Sequence, residues 1–140
     1  MELLRLSSED EYWQHYTDNF CKRKVQDAEG YSIKFNQQQF KHAFFTGSKK
    51  KKSEFSKQRA ERMDWIQEIL LDENVETFVG WNQTKKCYNF QRRVSITKQN
   101  YIVVIEVISP KKAKFITAFQ ASSTTAYNIR KSPKWHKKGS

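Results

Sequence analysis

Cysteine, proline and glycine are scarce in this chain, with two, two and four copies among 140 residues. Two cysteines, Cys21 and Cys87, are too few for a disulfide framework and lack zinc-ligand spacing. Both therefore read as free thiols of a reducing, cytoplasmic compartment. The sequence contains no phosphate-binding glycine loop, no nucleophile elbow and no His/Cys/Asp cluster for a metal, and no cofactor is expected. Long apolar runs are missing too. The longest lies within residues 101–108 and contains Glu106, so no segment is expected to span a bilayer. Residues 1–20 are acidic and polar where a signal peptide would be basic and then apolar.

Acidic residues are missing where they matter most. From Thr77 to the end the only carboxylate side chain is Glu106. The chain carries 26 Lys and Arg against 15 Asp and Glu, a net charge of +11. Residues 1–30 hold seven acids and four bases, and residues 31–140 hold eight acids and 22 bases. A surface so depleted of carboxylates concentrates phosphate-bearing partners near it and speeds their encounter, which points to RNA. It also leaves too few carboxylates in the second half for a two-metal nuclease.

Periodicity divides the chain into helices followed by strands. Residues 9–20 read as a helix with Tyr12, His15, Tyr16 and Asn19 on one face and acids in the first turn. Residues 31–35 read as a short extended stretch. Asn36 is expected to cap a helix over 37–45, ended by Thr46 and Gly47. The four lysines at 49–52 repel one another and read as a loop. Residues 56–71 form the strongest helical pattern, with Ser53 or Ser56 as cap and Phe55, Met63, Ile66, Ile69 and Leu70 in one stripe. Arg59 falls within that stripe and Arg62 at its edge, so each must snorkel outward or meet an anion. Alternation then predicts strands at 77–81, 86–94, 101–108 and 113–120 with short joins, and a short helix near 124–131. The expected fold is α+β, with N-terminal helices packed on a four-stranded antiparallel sheet. One domain is expected: a helical extension at 1–35, a core at 36–122 and a basic tail at 123–140.

If such a protein cuts RNA without metal, the substrate's own 2′-hydroxyl is the nucleophile. The protein must supply a proton acceptor, a proton donor and cations for the phosphorane. His42, beside Phe40, Phe44 and Phe45, is the histidine best placed for acid–base work. His15 on its acidic, aromatic helix reads as structural, and His136 lies in the tail. Arg59 and Arg62 are the expected phosphate ligands, with a buried salt bridge to Glu106 as the competing expectation. Lys86, Tyr88, Phe90 and Arg92 alternate onto one face of a strand, cations at the ends and aromatics between, as stacking and phosphate contact require. The lysines Lys49, Lys50, Lys51 and Lys52 add RNA-binding charge. Thr117 reads as sharing a face with Phe115 and Phe119.

The order His42-Ala43-Phe44, Phe55-Ser56, Arg59-Ala60-Glu61-Arg62 with Trp65-Ile66, then Phe115-Ile116-Thr117-Ala118-Phe119, resembles the phage- and toxin-associated RNases of the barnase, EndoU, colicin and RelE (BECR) fold, over about residues 36–120. The resemblance implies a metal-independent endoribonuclease, leaving a 2′,3′-cyclic phosphate, with its site on the sheet. It assigns acid–base work to His42, the phosphate to Arg59 or Arg62 and a hydroxyl contact to Thr117. The complementary acid would be a lysine, an arginine or Tyr88. It further implies an RNA substrate such as tRNA or mRNA and an acidic antitoxin or immunity protein. The alternative is a non-catalytic RNA- or DNA-binding module with a basic, aromatic sheet face.

Overall fold

The structure, a computed structural model, describes residues 1–48 and 51–135, with the backbone alone at 47, 48 and 51–53. In chain order the elements are α1 (Glu9–Tyr16), a π-helical turn (Thr17–Cys21), β1 (Val25–Gln26), β2 (Ser32–Lys34), α2 (Gln39–Phe44), β3 (Phe45–Ser48) and β4 (Lys51–Phe55). They continue with α3 (Lys57–Ala60), α4 (Trp65–Leu71), β5 (Glu76–Asn82), β6 (Cys87–Ile96), β7 (Tyr101–Ser109), β8 (Lys112–Gln120) and α5 (Ser123–Arg130). The expected single four-stranded antiparallel sheet is thereby corrected. The main sheet has six strands in the order β1-β2-β8-β7-β6-β5, and β3 and β4 form a second, two-stranded sheet. β5 to β8 form the anticipated antiparallel meander. β2 joins it in parallel beside β8, so residues 1–35 contribute two strands to the sheet as well as a helix. Strands this short leave too little alternation for the sequence to announce them.

The helical face of the sheet buries an aromatic core. Tyr12, Tyr16 and Phe20 follow at intervals of four and are all but inaccessible, on a line that the π turn continues without a break. Around them stand Phe35, Phe40, Phe44 and Phe115, with Tyr16 and Phe20 stacked at 5.8 Å and Phe35 and Phe115 at 4.7 Å. Phe45 does not end a helix. It opens β3, opposite Phe55 of β4, and both rings reach Phe40. The expected loop at 49–52 is thus in part strand: Lys51 and Lys52 belong to β4, while Lys49 and Lys50 lie outside the described residues.

The expected helix over 56–71 is broken into α3 and α4 by turns bonded three residues apart, Arg62 to Arg59, Met63 to Ala60, Trp65 to Arg62 and Ile66 to Met63. A three-residue repeat brings every third side chain to the same side. Ala60, Met63, Ile66 and Ile69 accordingly form the buried line. Arg59, Arg62 and Trp65 form the line next to it, where the Arg62 guanidinium lies 5.2 Å from the Trp65 ring. Arg59 therefore flanks the apolar stripe and is not inside it. His15 joins α1 to this segment through Nε2, 2.7 Å from Asp64 Oδ1.

The opposite face is only half covered. Ala126 and Ile129 of α5, capped by Ser122, pack on Phe78, Val94, Ile96, Ile102, Val104 and Phe119. Past α5 the chain runs along the β5 edge, with Val79 N–H donating to Pro133 O and Trp135 N–H to Thr77 O. Among the described residues no helix is long and apolar enough to cross a membrane.

One buried charge cluster ties these parts together. Arg93 of β6, 3% exposed, sits on the helical face with Nη2 2.8 Å from Asp27 Oδ2 and Nη1 2.7 Å from Glu29 Oε2. Asp27 Oδ1 accepts the Tyr31 N–H, and Glu29 Oε2 also accepts the Trp135 indole N–H. Removing the guanidinium strands two buried carboxylates, a loss of about 3–5 kcal/mol. Arg93→Ala is expected to lower stability by that amount, read as a fall in the urea midpoint at unchanged m-value.

Candidate functional site

The uncovered half of the second face carries a cross-strand row of charges. Arg92 of β6, Glu106 of β7 and Lys114 of β8 are paired across the sheet. Arg92 Nη2 lies 3.2 Å from Glu106 Oε1, and Lys114 Nζ lies 3.5 Å from Oε2. Asn89 Nδ2 also donates to Oε1, at 3.1 Å. Oε1 is thus held by two donors, while Oε2 faces the lysine. The side chains are 28%, 22% and 43% exposed, enough for a solute to reach each one. Thr117 opposes Val104, and both belong to this same face, in the row adjoining Glu106. Phe115 lies on the helical face, because the pairing shifts between Val104 and Ile105 and breaks the alternation. Thr117 therefore shares its side with Phe119 and not with Phe115.

The position of Arg92 depends on a glycine. The pairing of β5 with β6 jumps from Val79–Arg93 to Gly80–Asn89, leaving 90–92 as extra chain on β6. The Arg92 stem lies against Gly80 so closely that a Cβ there would meet Cγ at 2.6 Å. The same jump separates residues that strict alternation puts together. Asn89 and Arg92 both donate to Glu106 and so face one side. Tyr88, adjacent to Asn89 and opposite Trp81, faces the other, and Lys86 stands in the turn with φ +49°. The expected single face of Lys86, Tyr88, Phe90 and Arg92 is corrected accordingly.

Arg59 and Arg62 meet elsewhere. They line a 230 Å³ pocket with Thr46, Gln58, Tyr101 and Gln120 on the helical face, at the Tyr101–Gln120 end of the strands. Among the described residues neither arginine makes an ion pair, and the expected bridge to Glu106 is replaced by Arg92–Glu106. Burial raises the Tyr101 hydroxyl well above the usual phenol range, although Arg62 and Arg59 pull it down, so it stays protonated. This pocket is five residues along β7 from Glu106, about 17 Å at 3.4 Å per residue, and on the other face of the sheet. His42 lies exposed on α2, whose buried side chains Phe40, Ala43 and Phe44 pack into the helical-face core. The structure therefore unites Arg92 and Thr117 in one place and Arg59 and Arg62 in another, and it leaves His42 and Tyr88 outside both.

A cleft of 480 Å³ lies beside Arg93, walled by Glu29, Asp72 and Glu73, and these carboxylates repel a phosphate chain. Among the described residues no three His, Cys, Asp or Glu side chains converge as a metal site. Sequence reasoning missed Glu106 and Lys114 as site residues. Glu106 did carry a signal, as the one acid in a basic meander. Lys114 carried none, since only the register sets it opposite.

A row built this way combines a carboxylate that accepts a proton, two cations that neutralise a phosphorane and a neighbouring hydroxyl. Gly80→Ala is expected to push Arg92 off Glu106 and cost about 1–3 kcal/mol from overpacking, measurable by thermal unfolding together with loss of the Arg92–Glu106 contact in a crystal structure. Comparison with known protein families, curated proteins and solved structures finds no match to this chain.

Proposed function

We propose that this protein is a metal-independent endoribonuclease working on the open face of its sheet. The observation that carries the reading is the Arg92–Glu106–Lys114 row, in which acceptor, phosphate ligand and donor lie side by side on a partly exposed surface. The basic surface and the resemblance to BECR-fold RNases agree with it. Glu106 Oε2 takes the proton of the substrate's 2′-hydroxyl, and that oxygen attacks the adjacent phosphorus. Arg92 balances the charge of the phosphorane, and Thr117 donates to one of its oxygens. Lys114 gives a proton to the departing 5′-oxygen, leaving a 2′,3′-cyclic phosphate and a 5′-hydroxyl. The proton on Glu106 then returns to Lys114, and the site is restored. DNA lacks the internal nucleophile and is only bound. Arg59 and Arg62 supply a second phosphate position for the flanking strand, and an acidic inhibitor protein would compete for the same charges.

The test is cleavage of total and transfer RNA in excess EDTA by wild type, Glu106→Gln and His42→Ala. Glu106→Gln is expected to lower the rate by at least about a hundredfold while still shifting RNA in a gel, with His42→Ala active. An inactive His42→Ala beside an active Glu106→Gln would move the acid–base work to the helical face. Intact RNA that shifts in a gel with wild type would leave the non-catalytic binding module.

A further inference from the structure

The tip of the β5–β6 hairpin exposes aromatic rings that the cleavage row does not use. Trp81 is 43% exposed and Phe90 69%. Trp81 meets Tyr88 edge to face, with centroids 5.0 Å apart and planes at 81°. The two are direct cross-strand partners, so the hairpin fixes their relation. Its turn is held by Asn82 Oδ1, which accepts the Lys85 N–H at 3.0 Å, and it presents Lys85 and Lys86 to solvent. Phe90 is thrust outward by the extra residues of β6, where Asn89 Oδ1 accepts the Gln91 N–H. The tail lies along β5 only as far as Val79, so it leaves Gly80, Trp81 and Asn82 uncovered.

Charge selects the occupant. The nearest carboxylate along the strands is Glu106, already held by Arg92 and Lys114, while Glu76 lies at the far end of β5 against Arg130. Exposed flat rings in a purely cationic setting suit a ligand with flat apolar groups on an anionic backbone. Duplex RNA keeps its bases stacked inside and offers no free ring face. We infer that Trp81 and Tyr88, with Phe90 and the Lys85–Lys86 turn, form a stacking platform for unpaired RNA bases. The inference rests on RNA as the substrate and makes that substrate single-stranded beside the cut. It gives the hairpin a positioning task, because it holds the strand that crosses from the tip to the row.

The experiment measures binding of an oligouridine of about ten nucleotides, 2′-O-methylated throughout so that it cannot be cut, against a duplex of the same length. Trp81→Ala and Tyr88→Ala are each expected to weaken single-strand binding about tenfold, within the range for one lost stacked base. Duplex binding stays unchanged, and so does the salt dependence, since no charge is removed. Trp81→Phe retains most of the affinity, which separates ring stacking from hairpin stability. Equal losses on both nucleic acids, or no loss on either, would overturn the platform, and so would preference of the tip for polyglutamate over oligouridine. Because the probe is uncleavable, a Trp81 effect beside unimpaired cleavage by Glu106→Gln would refute the row alone. Impaired cleavage by Glu106→Gln without a Trp81 effect would refute the platform alone.

Discussion

A single guanidinium sets the arrangement of both ends of the chain. Arg93 reaches from the centre of β6 into a layer from which water is excluded, and there it can remain charged only against Asp27 and Glu29. Those carboxylates sit on the turn between β1 and β2, so holding them fixes where the sheet gains its parallel strand. Glu29 also receives the Trp135 indole, which draws the tail back along β5. The excess of acids near the N-terminus thus has an internal use. Two of its seven carboxylates neutralise a cation from the basic half, and the cations left over are at the surface.

β6 places its two neighbouring arginines in opposite environments. Arg93 points into the core and is structural, whereas Arg92 points to the open face beside Glu106. An alternating strand makes this unavoidable. The jump in pairing at Gly80 then lets the same strand present Asn89 with Arg92 while Tyr88 turns the other way. A lost residue in that stretch would exchange the sides and bury the wrong arginine. Register, more than composition, therefore decides which charges are available for chemistry.

The meander was legible because β5 to β8 are long enough for alternation to repeat, and the capping of α5 by Ser122 was legible from its hydroxyl run. β1, with two residues, and β2, with three, carry no such repeat. The split helix misled because a period of 3.6 and a period of three share several apolar positions. Met63, Ile66 and Ile69 satisfy both, and only Arg59 and Ala60 tell them apart. Lysine repulsion argued for a loop at 49–52, yet Phe45 and Phe55 anchor a hairpin from its base. For the site, Arg92 and Thr117 were visible as residue types. Their company with Glu106 and Lys114 depends on cross-strand pairing, which no local pattern encodes.

The parallel pairing of Ser32 with Lys112 has a consequence for how the chain is made. During synthesis the aromatic layer of α1 and α2 leaves the ribosome long before β7 and β8, the strands it must cover. Until those strands arrive, Tyr12, Tyr16 and Phe20 have no sheet to bury against. The most apolar third of the molecule therefore waits exposed, and its closure comes last, because contacts so distant in sequence form only after the intervening chain is complete. Any activity housed on the finished sheet is correspondingly absent from the nascent chain and appears only when the final strands have paired.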